Sequence, residues 1–351
     1  MQVKWIKNTQ FQSLLLLILS LFFVGHFVLL SPSSLEEDFN GVRVIPPQEL
    51  LSFLKNEPTL LAQDVPDQEA PTYSVRGLQF YSSVEHQPNW KIIARKSNVY
   101  QKEQILYGID VTIFMQDGTT VQSKEAVMHL DRNEIRFYGN VIATLKNGTV
   151  VHSEFLKALT RPVTQLEIPT DQKVTGENTD ATAQIDFESH GLFFVNTGLQ
   201  ELKLLSQVVV TLHHQKTTVI RSDRATYAHL RNHLSFHMDE TGPLDRQFVT
   251  VHEPDLDLKS RSLEVQLSPR QELQTITAVK DVFVRDAHDP DRVSTATSGR
   301  AVYLNAENRI QLEDFPQVYQ DDDTITGDTI VFNRNRDTIE VKESNAIYNK
   351  E

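Results

Sequence analysis

A short pattern recurs five times along the chain: a polar β-rich stretch, a Ser or Gly, a charge, an aliphatic pair, then a turn and an alternating strand. It runs Val121-Gln-Ser123-Lys-Glu-Ala-Val-Met-His-Leu130, then Val150-Val-His-Ser153-Glu-Phe-Leu156, then Val219-Ile-Arg-Ser222-Asp-Arg-Ala225-Thr-Tyr227. It returns as Ala296-Thr-Ser298-Gly-Arg-Ala301-Val-Tyr303 and Ile325-Thr-Gly327-Asp-Thr-Ile330-Val-Phe332. The Ser or Gly positions lie 30, 69, 76 and 29 residues apart, so the unit is near 30 residues, with degenerate copies in the wider gaps. A repeat of this length means a stack of β-units, none of which can bury its apolar face alone. The stack must share one long interior.

The period within the units is two. In Ile135-Arg-Phe137-Tyr-Gly-Asn-Val141-Ile-Ala143-Thr-Leu145 every second residue is apolar except at Gly139, and the alternates are mostly polar. Turn chemistry separates the runs at Gln116-Asp-Gly118, Asp131-Arg-Asn133, Lys146-Asn-Gly148, Asn305-Ala-Glu-Asn308 and Asn333-Arg-Asn335. Helical periodicity is absent after the N-terminus. The fold class expected is all-β, antiparallel or solenoid-like, in two related modules over 72–212 and 213–351.

The N-terminus follows different rules. Phe11 to Leu30 is apolar apart from Gln12, Ser13, Ser20 and His26, and twenty helical residues span about 30 Å, the thickness of a bilayer core. Lys4 and Lys7 precede it and Glu36, Glu37 and Asp38 follow it. This charge order predicts a cytoplasmic tail over 1–10, an uncleaved transmembrane anchor over 11–30, and everything beyond it on the outer side. Residues 31–71 hold six prolines, eight acids and two bases, the composition of an extended acidic linker.

Bulk charge and composition exclude several functions. The net charge of −13 gives no basic face for phosphates, so no nucleic-acid partner is expected. Zero cysteines remove thiol nucleophiles, disulfides and Cys-based zinc sites. No P-loop and no Gly-x-Ser-x-Gly elbow is present. His229, His233 and His237 fall at intervals of four, but the Arg231-Asn232 turn between them predicts a hairpin that separates them. No catalytic residue, metal or cofactor is assigned, and no enzyme activity is expected.

Two stretches resemble known proteins. Trp90-Lys-Ile-Ile-Ala94-Arg-Lys-Ser97, Leu106-Tyr-Gly-Ile-Asp-Val111-Thr-Ile113-Phe114 and Asp117-Gly118, behind a single anchor, resemble the periplasmic LptC family of lipopolysaccharide export. Thr324-Ile-Thr-Gly327-Asp328-Thr-Ile-Val-Phe332 with Thr338-Ile-Glu-Val341 resembles the OstA/LptA module of the same pathway. Family members of the LptC type are about half this length, so a second module is fused here behind the first. The resemblance implies two stacked, slightly open β-jellyrolls with an apolar groove for the acyl chains. It implies lipopolysaccharide as cargo, received from the membrane subunits of an ABC transporter that supplies the energy. It also implies an LptA-like bridge or an outer-membrane receiver as the next partner. The chain would then be an inner-membrane, single-pass protein with its modules in the periplasm.

On this reading Val111, Ile113, Ile135, Phe137, Val141, Leu145, Ile310, Leu312, Ile339 and Val341 are the candidates to line the groove. The same alternation would equally serve a packed sandwich core. Edge strands would carry the partner contacts by β-augmentation: Tyr73, Val75, Leu78 and Phe80 at one end, Val341, Ala346 and Tyr348 at the other. An anchored carbohydrate-active enzyme and a structural envelope scaffold stay open as alternatives.

Overall fold

The computed structural model describes residues 71–342 apart from 85–86, 161–163, 179–183, 197–199, 215, 240–246, 290–291 and 321–322. The expected tail (1–10), anchor (11–30), nearly all of the linker (31–71), and Ala346 and Tyr348 lie outside the described residues. Among the described residues no helix is long and apolar enough to cross a membrane.

Alternating residues with turn signals every ten or so positions leave a meander as the simplest way to fold. Eight strands form it first: β1 (Tyr73–Val84), β2 (Gln87–Tyr100), β3 (Ile105–Met115), β4 (Thr120–His129), β5 (Glu134–Thr144), β6 (Thr149–Leu159), β7 (Gln165–Asn178) and β8 (Gln184–Val195). Each pairs antiparallel with the next. Beyond β8 most passes break into two short strands. β9 (Glu201–Leu204) and β10 (Val208–His213) pair with the second and first halves of β8. β11 (Thr217–Ser222) and β12 (Arg224–Ala228) continue on β10 and β9. β13 (His233–His237) and β14 (Val249–Glu253) follow on β12 and β11.

β15 (Leu256–Ser260) and β16 (Ser262–Leu267) then pair with β14 and β13, and the long β17 (Leu273–Asp286) takes β16 on its first half and β15 on its second. β18 (Ser294–Leu304) pairs with β17 and carries β19 (Arg309–Glu313) and β20 (Gln317–Gln320). β21 (Asp323–Thr326) closes on β20, β22 (Thr329–Asn333) on β19, and β23 (Thr338–Lys342) on β22. All 23 strands form one uninterrupted ladder, which crosses from residue 212 to 213 within β10.

Among the described residues each pass before β23 bends near its middle, so its two halves lie in opposed layers around one interior. The ladder registers shift at these bends, for example between Gln122 and Glu125, Tyr138 and Val141, and Val279 and Val282. The repeated serine of the sequence sits at the bend. Its hydroxyl donates to the carbonyl two residues on, satisfying an acceptor that the broken ladder leaves open. This occurs at Ser123 (2.8 Å), Ser153 (2.9 Å), Ser222 (3.0 Å) and Ser298 (3.0 Å). Ser189 (3.0 Å) and Ser260 (2.8 Å) make the same bond and fill the wide gaps of the repeat. The return passes turn instead through left-handed residues: Asp110, Asn140, Gln207, Lys280 with Asp281, and Asp314 with Phe315. Asn and Asp tolerate this region best.

Inward residues from both layers meet in a single apolar cluster that runs from Trp90 to Phe332. A smaller cluster of Tyr100, Ile105, Tyr107 and Val127 lies on the other face of the early strands, where Ile105-Leu106-Tyr107 breaks the alternation.

Candidate functional site

The shared interior is the largest feature that the fold builds. Of the ten residues expected to line it, Val111, Ile113, Ile135, Phe137, Val141, Leu145, Ile310 and Leu312 are at most 3 % exposed. Ile339 and Val341 are half-buried and pack against the same cluster. The eight are therefore packed side chain to side chain, and an acyl chain could meet them only if the two layers part.

The interior has three kinds of boundary. At the bends, most tightly along the unbroken strands, backbone continuity ties the two layers together. At the two ends an edge strand is exposed. β1 pairs only with β2 among the described residues, with Tyr73 51 % and Phe80 38 % exposed while Val75 and Leu78 are half-buried. Trp90 packs beside Phe80 with ring centroids 5.5 Å apart, and the Lys91 ammonium lies 5.3 Å over the Tyr81 ring. At the far end β23 pairs with β22 alone among the described residues.

The third boundary is a seam, where the hairpin turns of one layer face those of the other. Among the described residues two polar bridges are seen to cross it. In the first, Asn196 after β8 donates its Nδ2 to Asp117 Oδ2 in the β3–β4 turn at 2.7 Å. The Asp117 side chain is held by its own turn, its Oδ1 accepting the Thr119 N–H at 2.9 Å.

The second bridge is ionic. Arg334, in the turn between β22 and β23, has a fully buried side chain and reaches Asp286 Oδ1 at the end of β17 (3.1 Å). It also reaches Asp255 in the β14–β15 turn, at the carboxylate (3.0 Å) and the carbonyl (3.2 Å), and Asn308 Oδ1 (3.1 Å). Lys216 (2.7 Å) and His288 (3.2 Å) complete the surroundings of Asp255. Burial alone would raise the Asp255 carboxyl, but hydrogen bonds from Lys216, His288 and Arg334 hold it far below the usual carboxylate range. Burial opposes the charge on Arg334, yet Asp286 and Asp255 raise its pKa further.

Deeper in the same cluster, Thr218 donates to Glu253 Oε1 at 2.7 Å. Burial pushes the Glu253 carboxyl up, against the Thr218 hydrogen bond and the nearby Arg334 and Lys216. Burial and then the Glu253 charge push the Tyr303 hydroxyl to about 12. Arg334 also lines a small, mostly polar cavity of about 160 Å³, whose apolar members are Ile325, Phe332 and Ile339 and whose polar ones include Asp286, Asp289, Arg292 and Asp337.

The seam residues were not visible in the sequence. Arg334 lies inside Asn333-Arg-Asn335, which reads correctly as a turn, and nothing local marks its side chain as buried. Its partners come from turns 48 and 79 residues away. The histidine series does form the expected hairpin: His229 starts a 3₁₀ turn, Asn232 is left-handed, and His237 ends at the opposite end of β13 beside Arg224. Among the described residues no group of three His, Asp or Glu side chains is placed to hold a metal ion.

Two family models match different parts of the chain. Residues 50–213 match the family described as lipopolysaccharide-assembly, LptC-related. Residues 248–338 match the family described as LptA/(LptD N-terminal domain) LPS transport protein. Among solved structures the chain resembles LptH from Pseudomonas aeruginosa, the LptA homologous periplasmic component of its lipopolysaccharide transport device. The likeness has 20% identity and a TM-score of 0.32, over 36% of this chain and 82% of that one. No curated protein matches the chain.

Proposed function

We propose, from the premise that the chain joins an LptC-related module to an LptA-like one, that it carries lipopolysaccharide through the periplasm along its shared interior. The observation that supports this best is the continuity of the ladder and of the apolar cluster from Trp90 to Phe332. A lipid handed along the stack would follow one apolar cluster that spans both 72–212 and 213–351.

The physical need is plain. Each methylene left in water costs about 0.8 kcal/mol, so several acyl chains crossing an aqueous space require a covered path. Segment 11–30 would anchor the chain in the inner membrane, with 1–10 in the cytoplasm and 31–71 as the tether. The energy would come from an ABC transporter whose membrane subunits deliver the cargo near β1. Tyr73, Val75, Leu78 and Phe80 would pair there, and Val341, Ala346 and Tyr348 would pair with the next bridge component or the outer-membrane receiver.

A photo-crosslinking residue placed at Phe137 or Ile339 in the full chain tests the reading. Lipopolysaccharide adducts at these inward positions are the expected result. Their absence at every inward position would overturn it and favour a filled scaffold.

A further inference from the structure

The seam carries a consequence for cargo with a water-soluble part. Lipid tails inside the interior and a polar headgroup in water must be joined through a gap between the two layers. The bends close one side, because the two halves of each pass are covalently joined there. Only the seam can admit the neck of such a molecule along the length of the stack. The Asn196–Asp117 bridge and the Arg334–Asp286–Asp255 cluster both lie across that line.

We propose that these two bridges are gates of the seam, which must open in turn for a headgroup to pass, the Arg334 cluster guarding the distal mouth. The inference rests on the transport reading above. Three observations support it.

Both crossings are polar, although the cluster shared by the two layers is apolar. A seam sealed by apolar contacts would cost free energy in proportion to the area exposed on opening. A hydrogen bond or ion pair is instead exchanged for bonds to water at little net cost. A buried ionic cluster also recovers solvation when it opens, so it holds one arrangement without making that arrangement deeply stable. Second, Arg334 sits in the last described turn and lines a cavity in which polar groups such as Asp289, Arg292 and Asp337 stand beside the apolar Ile325, Phe332 and Ile339. Third, the eight candidate lining residues are tightly packed, so entry of a chain already requires the layers to separate.

The absence of native cysteine permits a clean test. Asp117→Cys/Asn196→Cys and Asp286→Cys/Arg334→Cys would each be made in the full-length chain, in cells, with a photo-crosslinker at Phe137 or Ile339. A short, reducible bifunctional thiol reagent then locks either bridge. With the distal bridge locked, lipopolysaccharide adducts at Phe137 are expected to persist and those at Ile339 to disappear, returning on reduction. Locking the Asp117/Asn196 pair is expected to abolish the Ile339 adducts as well. That pair joins surface turns, so it decides the question if loss of Arg334 prevents folding. Ile339 adducts that survive both locks would overturn the gates. Absence of adducts at both positions in the reduced protein would instead overturn transport itself, and the gates with it.

Discussion

At the residue scale the molecule sets two acids of the seam in opposite directions. Glu253 is 1 % exposed, and burial holds its carboxyl above the ordinary value against the Thr218 hydrogen bond. An acid whose pKa is higher folded than unfolded contributes stability below its unfolded value and loses that contribution as pH rises through the folded one. Glu253→Gln keeps an acceptor for Thr218 and removes the charge. It is expected to raise the Tm at pH 7 by roughly 1–3 °C. The gain should vanish near the unfolded carboxyl value of about pH 4. A lower Tm at pH 7 would show that Arg334 and Lys216 outweigh the burial. Asp255 has the reverse sign: its depressed pKa gives stability that is present above the unfolded value and lost on acidification below it. Asp255→Asn is therefore expected to lower the neutral Tm and to flatten the acid limb of the same scan.

At the scale of elements, the sequence was most legible where alternation and turn chemistry agreed. Asp117-Gly118 and Asn147-Gly148 are hairpin turns in which Asp117 and Asn147 accept the Thr119 and Thr149 N–H groups, as those residue types predict. The serine repeat was read as periodicity, and its cause is the bend. Ser189 and Ser260 escaped because the residues around them depart from the other copies: Ser189-His-Gly191 has no charge after the serine, and Ser260-Arg261-Ser262-Leu263-Glu264 has the charge but no aliphatic pair. The charges that follow the serine have a role as well. Arg224, Arg261 and Arg300 pair with Asp239, Asp281 and Glu313 at the neighbouring bend. Such partly exposed pairs are worth little each, about 0–1 kcal/mol, so they guide register more than they stabilise.

The seam stayed hidden for a different reason. Alternation states which face a residue takes, and a turn residue has no face to alternate. The terminal strand is the element whose loss should separate folding from function. β23 is exposed along Thr338, Glu340 and Lys342 and contributes only Ile339 and Val341 to the cluster. Deleting Glu340–Glu351 is expected to leave a soluble, folded chain that no longer binds the next bridge component. Co-purification at unchanged yield by the truncated chain would count against that role.

At the scale of the whole molecule, the ladder continues without a break across residue 212, where the first module is expected to end. Val210 lies opposite Ile220 and Leu204 opposite Ala225, and all four are buried in the common cluster. A stack of this kind holds together through nearest-neighbour contacts. Phe194→Ala, in β8 next to this step, should remove about 3–5 kcal/mol. Hydrogen exchange is then expected to accelerate across β7 to β12 and to stay unchanged in β1, β2 and β22. Faster exchange confined to one side of residue 212 would mean that the two modules open independently.

An unbroken ladder also works as a measuring rod. Neighbouring strands stand about 4.8 Å apart, so each added or deleted hairpin alters the reach of the stack by roughly 10 Å and no intermediate value is available. The gap that this protein can bridge is thus counted in whole hairpins. A relative with one repeat more or fewer would suit a compartment of a different depth.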